Sequence, residues 1–509
     1  MELLDLLQQR QLTDLKERLE QKGSLQDPLM QVQEDITDPH TEPSVSLGGT
    51  AMAITEQLAH LIAETTYEQL PASAVTQAKR ALLDIIGVTL AGHGEAAGQI
   101  ITAFVKDAGG HQEAAILGTS LYTSPALAAL ANGTLGHALD FDDVTFHLRG
   151  HPSAPVVPAV LALGQALGAS GEDVITAFVI GVEVEAKIGK AMTSAHLRRG
   201  WHPTATIGTL GALAAAANLL GLTGPQVQMA LGIAASKAGG LRQNFGTMTK
   251  PLHAGEAARN GVEAAQLAQR GFTADPHIFD SRFSFFNVFV GEGEFVPETV
   301  IQDFGAPYEI VTPGIGVKPY PACRQAHRAI DAMLHLVHTY HLQPDDVSEI
   351  ICHISARMRD FLVHHQPQTG LAGKFSMEYC LAGALLHGKL GLAQFSDASV
   401  QDPRAQALMQ RVRLTHPDQD KINWDTPGPD VVEVVLHSGV RRQQRIEVPK
   451  GDPDLPLTWA ELVAKFQDCA ATVLPDGQIE EAMQHIARLE ELPTLKSLMA
   501  SLTLADVSA

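Results

Sequence analysis

From about residue 51 to 315 the chain is built of long Ala- and Leu-rich stretches, broken by Gly and by Thr-Gly or Ser-Gly turns, with few β-branched alternations. That pattern permits little except helix packed on helix. A weak repeat runs through it. "HPSAPVVPAVLALGQALGASGEDV" starts at His151 and "HPTATIGTLGALAAAANLLGLTGPQV" at His202, and each passes from His-Pro-Ser/Thr through a small-residue helix into an L-G-x-S/T-G turn. "KPLHAGEAARNGVEAAQLAQRG", from Lys250, opens a further helix of this kind, and helical hairpins side by side account for the spacing. The run ATIGTLGALAAAANLLGL (205–222) has the length of a membrane span, but its Ala, Gly and Thr content and internal Asn read as a tightly packed buried helix.

Around residue 316 the pattern changes. VSEIICHISARM (347–358) and VVEVVLHSGVRRQQRIEV (431–448) alternate apolar and polar residues and read as strands, the second as a hairpin around Ser438-Gly439. Helical patterns between them complete a smaller α+β unit, and the chain then returns to helix. The expected organisation is mainly α: an N-terminal extension and linker over 1–50, a helical domain over 51–315, an α+β domain over 316–454, and C-terminal helices over 455–509 that pack back on the helical domain. Residues 1–22 read as a short amphipathic helix. They carry acids early and lack the apolar core of a secretory signal, so a cytoplasmic location is expected.

With 509 residues, 45% of them apolar, the chain can bury a substantial core. Its 36 basic against 57 acidic residues give a net charge of −21, which repels nucleic acid and anionic membrane surfaces. An anionic ligand must therefore be held by a local basic pocket. Cys323, Cys352, Cys380 and Cys469 show no C-x-x-C spacing, which suggests reduced thiols and neither a zinc site nor an iron–sulfur cluster.

One stretch does not fit a plain helical domain. "HALDFDDVTFHLRGHPSAP" (137–155) packs three aspartates, three histidines and an arginine between apolar helical segments. Beyond it, four titratable or cationic residues directly precede proline: His151, His202, Lys250 and Lys318. Proline disfavours the α conformation in the residue before it and suits the first turn of a helix. Each of the four side chains is therefore expected at or just before a helix N-terminus, where free N–H groups attract anions. Arg324 and His327 follow in "KPYPACRQAH", one turn apart if Pro321 opens a helix, and add a fork suited to a carboxylate. Asp140 is either a helix cap or the group that orients a neighbouring histidine.

"ALDFDD", "GHPS", "WHPTATIGTLGALAAAA", "TKPLHAGEAARNGVEAAQLA", "KPYPACRQAHRAIDA" and "KFSMEYCLAGAL" occur in this order, and with them the chain resembles the MmgE/PrpD family over roughly 55–500. That family includes 2-methylcitrate dehydratases, cis-aconitate decarboxylases and an iminodisuccinate epimerase branch. The resemblance implies a large helical domain, a smaller α+β lid, a homodimer, and an active site between the domains that needs no metal or organic cofactor. It also implies that Asp140, His151, His202, Lys250 and Lys318 occupy active-site positions of the decarboxylase branch. The sequence departs from that branch in having Val144 directly after DFDD, with Thr145 one place later, and no motif matches its lid tyrosine.

These branches share an acidic carbon next to a carboxylate, so negative charge built there needs cations and helix ends around it. The leading expectation is a cofactor-independent lyase acting on a small di- or tricarboxylate, with dehydration ahead of decarboxylation. Asp140, His151, His202 and Lys250 are the expected catalytic residues, and Lys318 and Arg324 the expected substrate-binding ones. An epimerase or isomerase of a substituted succinate is the close alternative. A Mg²⁺-dependent helical enzyme using Asp140, Asp142 and Asp143 ranks lower, because no second acidic cluster of comparable density accompanies them. A binding protein without catalysis is a further alternative.

Overall fold

The computed structural model describes residues 52–355, 358, 360–416 and 428–505; the amphipathic helix and linker expected over 1–50 lie outside the described residues. The fold is mainly α. Among the described residues, nine helices of ten residues or more lie before residue 320: α1 Ile54–Glu64, α2 Ala72–Ala91, α3 Ala96–Ala108, α4 Pro125–Ala138, α5 Ser153–Leu167, α6 Gly171–Ala191, α7 Gly208–Leu219, α8 Gly224–Lys237 and α9 Thr249–Gln269. Two more, α10 His327–Tyr340 and α11 Met377–His387, accompany a sheet, and α12 Trp459–Ala470 and α13 Asp476–Ala487 follow it.

Small residues decide how closely these helices approach. A Cβ added at Gly255 of α9 would stand 2.3 Å from the carbonyl oxygen of Leu130, and one at Gly133 of α4 would stand 2.8 Å from the Cα of Gly255. The backbones of α4 and α9 are thus in contact, and any larger residue there would force them apart. The apolar run expected to be a buried helix is α7, whose Ala212 and Ala214 to Ala217 are fully buried. Among the described residues, no helix is long and apolar enough to cross a membrane.

Among the described residues, the two largest hydrophobic clusters organise the rest. The first gathers Leu82, Ile86, Phe178, Val184 and Leu210 with Leu462, Phe466 and Leu498 from the C-terminal segment. The second gathers Ile330 and Met333 of α10, Tyr379 and Leu381 of α11, and residues of a four-stranded sheet. Its strands are β1 Val347–His353, β2 Val412–Thr415, β3 Asp430–Leu436 and β4 Arg441–Ile446, in the order β2-β1-β3-β4. β1 and β2 are parallel, with Ile350 opposite Val412. β3 and β4 form the hairpin expected from the sequence, with Asp430 opposite Ile446 and Gly439 at φ 83° in its turn. β4 is an edge strand, and its arginines and glutamines keep that edge from pairing further.

Three of the four residues before proline lie at helix starts. His151 precedes α5 by two residues, His202 caps the short helix Pro203–Thr206 that leads into α7, and Lys250 sits in the first turn of α9. Lys318 does not. Residues 319–322 form bends, Pro321 opens no helix, and the first helical turn begins only at Arg324. Two prolines so close together fix φ at both positions and put the residues before them in extended backbone, which keeps this segment from coiling.

Candidate active site

The site is assembled where α4 ends. Its last turn carries His137, and the helix stops because Asp140 takes a left-handed conformation, φ 52°, that glycine would adopt more cheaply. Keeping an aspartate there sets a carboxylate at the corner. The close crossing of α4 and α9 then brings Lys250 to it: Lys250 Nζ donates to Asp140 Oδ1 at 2.6 Å and to His137 Nε2 at 2.9 Å. Lys318 arrives by a different route. Val144–Thr145 pairs with Ile315–Gly316, and Thr145 Oγ1 donates to the carbonyl of Gly314 at 3.2 Å. This short ladder delivers Lys318 Nζ to the carbonyl oxygen of Asp140 at 2.7 Å and to its Oδ1 at 3.3 Å.

The three aspartates of the stretch separate into three roles. Asp140 meets the lysines. Asp142 Oδ2 accepts from His137 Nδ1 at 2.8 Å and lies 3.1 Å from His151 Nδ1. Asp143 turns the other way, accepting from the backbone N–H of Ser153 at 3.1 Å and from its hydroxyl, at the start of α5. The loop is also held from below: Lys465 of α12 donates to the carbonyl of Phe141 at 2.8 Å and pairs with buried Asp84 of α2 at 2.6 Å.

The histidines complete the cluster. His151 stands with Nε2 3.7 Å from Asp140 Oδ1, and its backbone N–H donates to Thr204 Oγ1 at 3.1 Å, so the two His-Pro segments are tied together. His202 stacks on His137 with ring centroids 5.8 Å apart, contacts His253 through the two Nδ1 atoms at 3.1 Å, and leaves its buried Nε2 without a hydrogen bond. Phe245 and Phe375 cover the position, with ring centroids 5.7 and 5.5 Å from Lys250 Nζ.

Charge follows from this geometry. Burial alone would raise the Asp140 carboxyl, but Lys250 and Lys318 override it and hold the group well below the usual carboxylate range. Because Lys250 donates to Nε2 of His137, the Nδ1–H points to Asp142, and burial pushes this imidazole down to about 3. Burial, and then the Lys250 charge, also depresses His202 and brings His253 to about 4. His151 is lowered by burial and partly restored by Asp142. These imidazoles are therefore neutral bases at neutral pH, and an incoming carboxylate raises their affinity for protons.

Five of the six residues singled out from the sequence contribute here: Asp140, His151, His202, Lys250 and Lys318. Arg324 lies elsewhere in its contacts, donating to Asp452 Oδ2 at 2.6 Å, with its Nη1 buried and unbonded. His137, His253, Phe245 and Phe375 escape the sequence reading, although His137 stands at the head of the polar stretch and His253 three residues after Lys250. His137, Asp140, Asp142 and His151 offer ligand atoms within 4.8 Å of one another, a donor set of the kind that holds a divalent ion. Two ammonium groups already lie on Asp140 and one faces His137 Nε2, so an ion would have to displace them. Asp143 stands outside that set, which removes the three-aspartate ligand arrangement of the Mg²⁺ alternative.

Residues 56–298 match the MmgE/PrpD N-terminal domain and residues 320–490 the MmgE/PrpD C-terminal domain. The chain is 29% identical over 451 residues to the cis-aconitate decarboxylase of Mus musculus, covering 86% of this chain and 91% of the relative. It is 25% identical over 472 residues to the cis-aconitate decarboxylase of Aspergillus terreus, covering 88% and 95%. The 2-methylcitrate dehydratase of Cupriavidus necator is 25% identical over 480 residues, covering 84% and 93%. Matched in order by both domains across most of its length, the chain belongs to the MmgE/PrpD family.

Proposed function

We propose that this protein is a lyase that decarboxylates a small unsaturated tricarboxylate of the cis-aconitate type, without a cofactor, as a cytoplasmic homodimer. The observation that carries this reading is the convergence of His151, His202, Lys250 and Lys318 around Asp140 and Asp142. A lyase acting on a tricarboxylate is the common ground of its relatives. Their decarboxylase members put decarboxylation ahead of the dehydration that the motifs alone favour. Four free, buried cysteines suit a reducing compartment.

The chemistry needs little more than these groups. Loss of CO₂ breaks a C–C bond and leaves its electron pair on the substrate, spread over the adjacent double bond and carboxylate. The lysines stabilise that charge, and an imidazole that has taken up a proton on substrate binding returns it to carbon. Dehydration, the second reading, is favoured by the 2-methylcitrate dehydratase relatives and uses the same base. The base then takes the proton next to the carboxylate, and the β-hydroxyl, protonated by a neighbouring lysine ammonium, leaves as water.

NMR in D₂O with cis-aconitate, 2-methylcitrate, citrate and substituted succinates separates the cases. Loss of CO₂ from cis-aconitate with deuterium incorporated is the expected result. Alkene formation from a hydroxy acid selects dehydration, deuterium exchange alone selects epimerisation, and no change in any acid sinks the lyase reading.

A further inference from the structure

We propose that Lys374 is a third substrate-binding cation and takes the carboxylate that distinguishes a tricarboxylate from a dicarboxylate, an assignment that rests on the lyase reading above. Lys374 lies at the start of "KFSMEYCLAGAL", between the single turn Gly370–Gly373 and α11, and is 1% exposed. Its Nζ makes no hydrogen bond. Its ion pair is with Glu95 Oε1 at 3.5 Å, and the Glu95 side chain remains 31% exposed and so hydrated.

The surroundings point this residue at the same site. The next residue, Phe375, is the ring 5.5 Å from Lys250 Nζ. The carbonyl oxygen of Lys374 accepts from the N–H of Cys323 at 2.9 Å, five residues after Lys318. Segment 374–375 is thus stitched to the elements that carry the other two lysines. Burial depresses the Lys374 ammonium, and Glu95 and then Asp140 pull it back, so the field of the Asp140 corner reaches it.

The difference between the three lysines is their commitment. Lys250 and Lys318 are hydrogen-bonded to Asp140. A buried ammonium without hydrogen bonds is costly unless something completes it. A substrate carboxylate would complete Lys374 while the imidazoles and the other two lysines serve the reacting end. Glu95 then acts as its counter-ion in the empty site.

The test is calorimetric binding to the full chain of three saturated acids: tricarballylate, glutarate, which lacks the central carboxylate, and methylsuccinate, which lacks a terminal one. Lys374→Met should weaken tricarballylate about 10- to 100-fold, the range of a lost charged hydrogen bond. It should weaken one of the two dicarboxylates, the one without the carboxylate that Lys374 holds, by less than about 3-fold. Equal losses for all three acids, no loss for any, or no tricarballylate binding by the wild type overturns the proposal. Glu95→Gln covers the case in which Lys374→Met does not fold. Tricarballylate binding should then be unchanged or tighter, and a loss overturns the proposal. Turnover is measured separately: binding through Lys374 with no acid turned over sinks the lyase reading alone, and turnover by Lys374→Met with unchanged KM sinks this proposal alone.

Discussion

Replacing Asp140 by Asn keeps the side chain's size but removes the charge that Lys250 Nζ meets at 2.6 Å and Lys318 Nζ at 3.3 Å. Both lysines are buried, 4% and 1% exposed, so neither gains water in exchange. Breaking a buried pair from one side costs about 3–5 kcal/mol, and for a folded unit of this length each kcal/mol moves Tm by roughly 1 °C. Calorimetric melts at neutral pH should therefore show Tm lowered by about 3–5 °C. The pH dependence has a definite sign. The depressed carboxyl of Asp140 contributes stability in full above its unfolded value of about 3.9 and loses it as pH falls through the folded value, so the gap between wild type and variant closes in acid. On the alkaline side, burial already lowers Lys318 and Asp140 partly restores it. Without Asp140 it falls further, the unfolded chain holds the extra proton up to about pH 10.4, and the variant regains stability as pH rises across that window. Releasing both lysines from a fixed corner should also lower kcat by about 10²-fold. An unchanged Tm across this pH range with near-wild-type kcat would refute the reasoning.

Activity should survive exhaustive EDTA treatment, because Lys250 and Lys318 occupy the charge that a cation would need at Asp140; loss of turnover restored by Mg²⁺ or Fe²⁺ would contradict this. Gly255→Ala should lower both Tm and kcat, since its Cβ would lie 2.3 Å from the carbonyl oxygen of Leu130 and must push α9, with Lys250, away from His137. Overpacking of this kind costs about 1–3 kcal/mol, and a variant with wild-type melting and turnover would show that the helices have room to spare.

Much of this site is legible in the sequence because it is written as short motifs with local consequences. Proline after His151, His202 and Lys250 marks helix starts, and all three residues lie where helices begin. The same rule misplaces Lys318, since Pro319 and Pro321 together prevent a helix and the residue reaches Asp140 through the pairing of Val144–Thr145 with Ile315–Gly316. A two-residue ladder between segments so far apart has no local signature. Its neighbours in the sequence make Arg324 read as a carboxylate fork, but Asp452, far along the chain, takes its Nη2. His137 and Lys374 are hidden for the opposite reason. Each sits in an apolar helical or turn context where a core role is the simpler reading, and only the crossing of α4 with α9, or the missing hydrogen bond at Nζ, reveals otherwise.

The central claim is that an imidazole in this cluster moves the proton, and His151→Gln tests it most directly. Glutamine keeps a hydrogen-bonding side chain beside Asp140 and Asp142 but cannot titrate near neutral pH. Steady-state kinetics on this variant should show kcat reduced by about 10²–10⁴-fold with little change in KM, and a melt should show the fold intact. A loss confined to KM would make His151 a binding group, and a kcat near that of the wild type would contradict the account.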